Sequence, residues 1–178
     1  MAHIEVDKSL PGIRSLVMYR PESGEHLYAL ARALLRGESP IAAADRELIA
    51  SYVSSLNDCD FCMKSHAAAA KCLYENEAAA SGVKPNDDTA IDPKLKALMN
   101  IAAKTTKSGM EVTVSDVEQA RSEGAGDADI HDAVLIAAVF CMFNRYVDGL
   151  ASFTPTDPDV YAEMGKRMVA NGYIFPKK

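Results

Sequence analysis

The feature that most constrains this chain is the spacing of its apolar residues, which recur every three or four positions and almost never alternate. Leu27, Leu30 and Leu34 form one such stripe, and Leu48, Ile49, Tyr52, Val53 and Leu56 a second. Leu95, Leu98, Met99 and Ala102 form a third; Ile130, Val134, Leu135, Ala138 and Cys141 form a fourth; Val160, Met164 and Met168 form the last. Helix stops and starts stand between them. Gly37 follows Arg36, Ser39-Pro40 offers a cap with a first-turn proline, and Asn57-Asp58, Asp92-Pro93, Ser108-Gly109 and Asp157-Pro158 punctuate the rest. Ser115 to Glu118 reads as a capping box opening a short helix that ends at Gly124, and Asp127 as the cap of the longest apolar helix, which runs to about Leu150. An Ala-rich segment extends from Cys59 towards Ser81-Gly82, with a break expected near Tyr74 to Asn76, and residues 84–89 read as a polar loop. Met110 to Val114 and Tyr173 to Phe175 are the only short strand candidates. The pattern predicts an all-α fold.

A chain of 178 residues fits one domain. The reading divides it into a helical N-terminal arm of about residues 1–38 and a bundle core of about residues 39–170. With 19 basic against 25 acidic side chains the net charge is −6, which argues against nucleic acid and anionic membrane surfaces as partners. The longest apolar run, residues 133–143, is too short to span a bilayer. The first residues contain no apolar leader core, and the four cysteines fit thiols of a reducing, cytoplasmic compartment better than a disulfide scaffold. Without repeated βαβ units, the CxxC has no thioredoxin-type setting.

One stretch is chemically informative. Cys59, Cys62 and His66 fall at about 0°, −60° and −20° around a helix, so they share a face. The pair lies at the expected first turn, after Asn57 or Asp58 as cap, where unpaired N–H groups and the helix dipole favour a thiolate. An imidazole one turn away can take the thiol proton, and a second thiol can trap a sulfenic acid as a disulfide. These are the minimum parts of a thiol peroxidase or a dithiol oxidoreductase. Two other readings fit the same residues: a zinc site completed by Cys72 or Glu47, and a purely structural pair of buried thiols. Cys72 and Cys141 read as buried small hydrophobes. Arg145 and Asp148 read as a structural ion pair, and Ser51 and Ser54 as a polar face or as room for water beside Glu47. His3, His26 and His131 have no companions at ligand or triad spacing, and no phosphate loop, serine elbow or paired-carboxylate pattern is present.

Glu47, Cys59, Cys62 and His66 together, with Arg46-Glu47-Leu48-Ile49 before the site and Cys62-Met63-Lys64-Ser65-His66-Ala67 within it, resemble the E-x11-C-x2-C-x3-H pattern of the alkylhydroperoxidase D-like (AhpD-like) proteins. These belong to the carboxymuconolactone decarboxylase superfamily. Phe143-Asn144-Arg145 and Asp148-Gly149-Leu150 look like its peroxidase-related branch. The resemblance implies an all-helical, cofactor-free peroxidase that assembles as a homo-oligomer, a trimer or hexamer. It implies Cys62 as the sulfur that attacks the hydroperoxide, Cys59 as the resolving thiol, His66 and Glu47 as the proton relay, and a dithiol reductant, thioredoxin-like or a lipoylated protein. Phe61 departs from the pattern, standing where better-characterised members carry a second histidine, so the relay is one proton carrier short. Asp58 and Asp60 flank Cys59 with negative charge, whereas Cys62 lies nearer His66, so local charge favours Cys62 as the attacking sulfur. Two further functions stay open: a non-catalytic oligomeric redox sensor, and a decarboxylase of the same superfamily, for which the CxxC would be unnecessary.

Overall fold

A computed structural model describes residues 2–81 and 91–175, with side chains described at 2–76 and 91–175. Eight α-helices follow in order among the described residues: α1 (Ile13–Tyr19), α2 (Pro21–Arg36), α3 (Ala43–Leu56), α4 (Asp60–Ser81), α5 (Pro93–Lys107), α6 (Val114–Ser122), α7 (Asp127–Gly149) and α8 (Pro158–Asn171). A single 3-10 turn, Gly109–Glu111, stands where the first strand candidate was expected, and no strand occurs among the described residues. The expected loop at 84–89 lies outside them.

Where strong caps and apolar stripes agree, the helices fall as the sequence predicts. Asp92 caps α5 by accepting from the backbone N–H groups of Lys94 and Leu95, and Asp157 caps α8 from Asp159. Other ends move. Ser39 does not cap α3; its hydroxyl donates to Asp132 and accepts from the Ile41 N–H, so the helix begins at Ala43 after an uncapped Ala42. The capping box of α6 is formed by Thr113 and Asp116, two residues before the expected start. Gly126, not Asp127, is the N-cap of α7, with Asp129 accepting from its N–H. The expected break in α4 is absent: the helix continues through Tyr74 to Asn76. α1 was not anticipated.

α3 and α4 pack along one another, α7 crosses both α3 and α5, and α8 closes on α4. Ile49, Val53, Leu98, Ile101, Ile136 and Phe140 fill the main core. The N-terminal arm joins it, because Ala31, Leu34 and Leu35 of α2 are buried in the same cluster. α7 is long and apolar enough to cross a membrane by length and composition, but here it is the central core helix, with Ile136, Ala137, Phe140 and Val147 almost fully buried. A second, smaller cluster gathers Cys59, Phe61, Cys62, Val147, Tyr161 and Met164. Gly165 makes that cluster possible: a Cβ there would lie 2.7 Å from the Ala68 backbone, so α8 approaches α4 this closely only without a side chain.

Candidate active site

The turn between α3 and α4 sets the site. Asp58 adopts a left-handed conformation (φ 56°), its N–H donates to the Ser55 carbonyl and the Cys59 N–H to that of Ser54. This pair of bonds is a Schellman C-cap. The next turn opens at once, since the Met63 N–H donates to the Cys59 carbonyl at 2.9 Å. Cys59 is therefore itself the N-cap residue of α4, in place of the expected Asn57 or Asp58. Cys62 falls in the first turn of α4 and His66 one turn further on.

Both thiols are buried, Cys59 completely, and they hydrogen-bond to one another. The Cys59 bond and burial push the Cys62 thiol well above its ordinary value, while the Asn144 amide, which also bonds this sulfur, opposes the shift. Local charge alone thus does not make Cys62 a resting thiolate: dehydration and the neighbouring sulfur outweigh it. Asp60 is occupied by Lys64 at 2.7 Å. Asn144 is fixed by donating to the Ser54 hydroxyl at 3.0 Å and accepting from Asn57 at 2.9 Å. Arg145 and Asp148 do not form the expected ion pair. Arg145 donates to the Cys141 carbonyl, and Asp148 hydrogen-bonds Cys59, with burial raising its carboxyl.

Glu47 is fully buried and pinned from three sides. Oε2 lies 2.6 Å from His66 Nδ1, and Oε1 accepts from the Tyr173 hydroxyl at 2.6 Å. Arg36 Nη2 approaches Oε1 at 2.6 Å, an ion pair without hydrogen-bond alignment. Burial pushes the Glu47 carboxyl up, but His66, Arg36 and Tyr173 together bring it below its ordinary value. With Glu47 ionised, His66 Nδ1–H donates to it, and Nε2 takes no part in that bond. The imidazole is held edge-on by Phe140 at 4.6 Å and face-to-face with Tyr173 at 6.2 Å between centroids, and Arg36 covers the Tyr173 ring at 5.0 Å. Tyr173 itself is left-handed (φ 61°), a costly conformation for a bulky residue that these contacts hold in place.

Cys62 and His66 both line one apolar cavity of about 160 Å³, walled by α1, α2, α4, α7, α8 and the segment after α8. Phe61 lines it too, its ring lying over Gly12, where a Cβ would come within 2.0 Å of a ring carbon. Sequence reasoning thus found Glu47, Cys59, Cys62 and His66, and the structure brings all four together. It missed Arg36, Tyr173 and Asn144 as partners, and nothing in their spacing marked them. Ser51 and Ser54 are buried rather than an exposed polar face. Ser51 donates to the Met63 carbonyl and Ser54 to that of Ala50. Cys72 and Cys141 are half-buried rather than buried. Among the described residues, no group of three His, Cys, Asp or Glu side chains gathers as metal ligands.

The model of the carboxymuconolactone decarboxylase family matches residues 21–80, the span that holds Glu47, both site cysteines and His66. No curated protein matches the chain significantly. Among solved structures, the chain is similar to an uncharacterized peroxidase-related protein from a Silicibacter species, at 28% identity and TM-score 0.71 over 85% of this chain and 78% of that one. It is also similar to an alkylhydroperoxidase AhpD core, an uncharacterized peroxidase-related protein from Ralstonia eutropha, at 26% identity and TM-score 0.72 over 88% and 82%. An Agrobacterium tumefaciens protein of unknown function, described as a candidate antioxidant-defence AhpD, shares the fold at 16% identity and TM-score 0.60 over 88% of this chain and 100% of that one. The chain is thus similar to the carboxymuconolactone decarboxylase family over residues 21–80, and over most of its length it shares its fold with AhpD-like, peroxidase-related proteins.

Proposed function

We propose that this protein is a cytoplasmic thiol peroxidase that reduces organic hydroperoxides by a dithiol–disulfide cycle of Cys62 and Cys59, with His66 and Glu47 as its proton relay. The observation that carries this reading is an asymmetry: Cys62 opens on the cavity beside His66, whereas Cys59 is fully buried in the smaller core cluster, does not line the cavity, and has Cys62 and Asp148 as its polar neighbours.

His66 makes no direct hydrogen bond to Cys62 among the described residues, so Nε2 takes the thiol proton through a bridging water. The thiolate attacks the terminal peroxide oxygen, the O–O bond breaks, and the alkoxide leaves as alcohol with the proton from His66. Cys62 is then a sulfenic acid. Cys59 gives its proton to Asp148 and attacks the Cys62 sulfur; the S–O bond breaks, and the departing hydroxide takes that proton back from Asp148 and leaves as water. An external dithiol, thioredoxin-like or lipoylated, reduces the disulfide, so that ROOH and two thiols become ROH, water and a disulfide. Asn144 steadies the anionic sulfur by its amide N–H. Phe61 supplies a dry wall where relatives place a proton carrier, leaving His66 the single histidine or carboxylate among the described residues that line the cavity.

Steady-state turnover of cumene hydroperoxide, with thioredoxin and with a lipoylated carrier protein as reductants, tests this. Continuous dithiol consumption, with a Cys59–Cys62 disulfide recovered by mass spectrometry, is expected. A single oxidation that then stops would make the protein a sensor. Oxidation at Cys72 or Cys141 with both site thiols still alkylatable would overturn the assignment.

A further inference from the structure

The cavity has a cationic wall that the chemistry at sulfur does not use. Arg14 from α1 and Arg167 from α8 both line it, together with Tyr28 from α2. Burial pushes the Tyr28 phenol up, and both guanidinium groups act on it in the opposite sense, which places the two cations beside that hydroxyl. Burial lowers the Arg167 guanidinium below its ordinary value, and Arg14 beside it adds to the effect. The ion pairs among the described residues use Arg20, Arg36, Arg121, five lysines and two histidines, but neither Arg14 nor Arg167. Two half-buried cations side by side without a carboxylate repel one another, and an anion between them relieves that cost.

Depth orders the cavity. Cys62 and His66 are 3% and 8% exposed, whereas Arg14, Tyr28 and Arg167 are only half-buried, so the cations stand nearer solvent than the sulfur. Ile13, Leu27, Phe143, Met164 and Met168 supply an apolar surround. Building on the peroxidase reading, we propose that the cavity selects an organic hydroperoxide whose apolar body carries a carboxylate. The carboxylate is held by Arg14, Arg167 and the Tyr28 hydroxyl, and the peroxide is presented to Cys62. A guanidinium pair is suited to this task, since each fork can bind a carboxylate through two N–H groups.

Two matched sets of probes test the proposal at neutral pH. In the first, 4-isopropylbenzoate and 4-isopropylbenzamide, which share the apolar body but contain no peroxide, are titrated calorimetrically into the reduced protein. The anion is expected to bind about tenfold more tightly or better, the usual worth of a charge-assisted hydrogen bond. That gap should close in Arg14→Gln and in Arg167→Gln and persist in Arg167→Lys. In the second, kcat/KM is compared for 4-(2-hydroperoxypropan-2-yl)benzoate, its methyl ester and cumene hydroperoxide. The acid-to-ester ratio should be about tenfold and fall towards one in the glutamine variants. Equal binding of acid and amide, or an acid preference that survives both glutamine substitutions, would overturn the anion subsite. Failure on all three peroxides would instead remove the peroxidase reading, and the calorimetric arm would still decide the subsite.

Discussion

Cys59 and Cys62 differ in what surrounds them, and substitution should read that difference. Cys62 faces the cavity and Cys59 faces Cys62, so Cys62→Ser is expected to abolish turnover. Cys59→Ser should permit a single attack and leave a sulfenic acid on Cys62 that dimedone traps and excess peroxide over-oxidises. Dimedone labelling of Cys59 in Cys62→Ser, with none on Cys62 in Cys59→Ser, would reverse the two roles. The Cys62 thiol is held above its ordinary value, so its thiolate fraction grows as pH rises. Stopped-flow rates of disulfide formation should therefore climb through neutral pH into the alkaline range. His66→Ala is expected to slow this step by about 10² to 10⁴-fold near neutrality, the typical worth of a general base, with the deficit narrowing where hydroxide deprotonates the thiol directly. A uniform deficit at all pH values would mean that His66 acts by packing against Phe140 instead.

At the scale of the elements, one carboxylate and one turn hold the site in register. Glu47 ties α3 to α4 through His66, to α2 through Arg36, and to the segment after α8 through Tyr173. Glu47→Gln leaves a buried cation poorly matched, at a cost of about 3 kcal/mol, or roughly 6–12 °C in Tm. The sign of its pH dependence follows from the depressed carboxyl: its contribution is fully present above the ordinary value of 4.5 and is lost as pH falls through the lower folded value. The Tm gap between wild type and Glu47→Gln should therefore be constant near neutrality and shrink below about pH 4.5, as differential scanning calorimetry would record. The α3–α4 turn gives a separate prediction. Asp58 sits left-handed in the Schellman cap, where glycine is the unstrained residue. Asp58→Gly should stabilise the protein by about 0.5–1 kcal/mol and Asp58→Val should destabilise it by at least as much, both measurable by urea denaturation.

For the whole molecule, the outer surface is the open issue. Tyr19, Met110, Val114, Phe153 and Ile174 are each more than half exposed, an apolar load that symmetric association would cover. A trimer or hexamer is the expected solution state, measured by light scattering at micromolar concentration. A monodisperse monomer would count against it.

The sequence by itself determined the helical class, because a 3.6-residue apolar period cannot bury its stripe as a strand. It also placed Cys59, Cys62 and His66 on one helix face, whereas Glu47 was reached only through the family resemblance, since a glutamate on a helix ordinarily faces solvent. Helix ends marked by a single strong side chain, such as Asp92 and Asp157, were legible for the same local reason. Ends at Ala42, Cys59 and Gly126 were not, since there the boundary is set by backbone geometry and tertiary packing. Only the folded chain decided the partners. Arg36 and Tyr173 reach Glu47 from segments 11 and 126 residues away, and Asn144 reaches Cys62 from α7. Such contacts leave no periodic trace in the sequence, because any buried charge needs a partner but nothing local specifies which residue supplies it. The same holds for Asp148, which i,i+3 spacing assigned to Arg145 and packing delivers to Cys59.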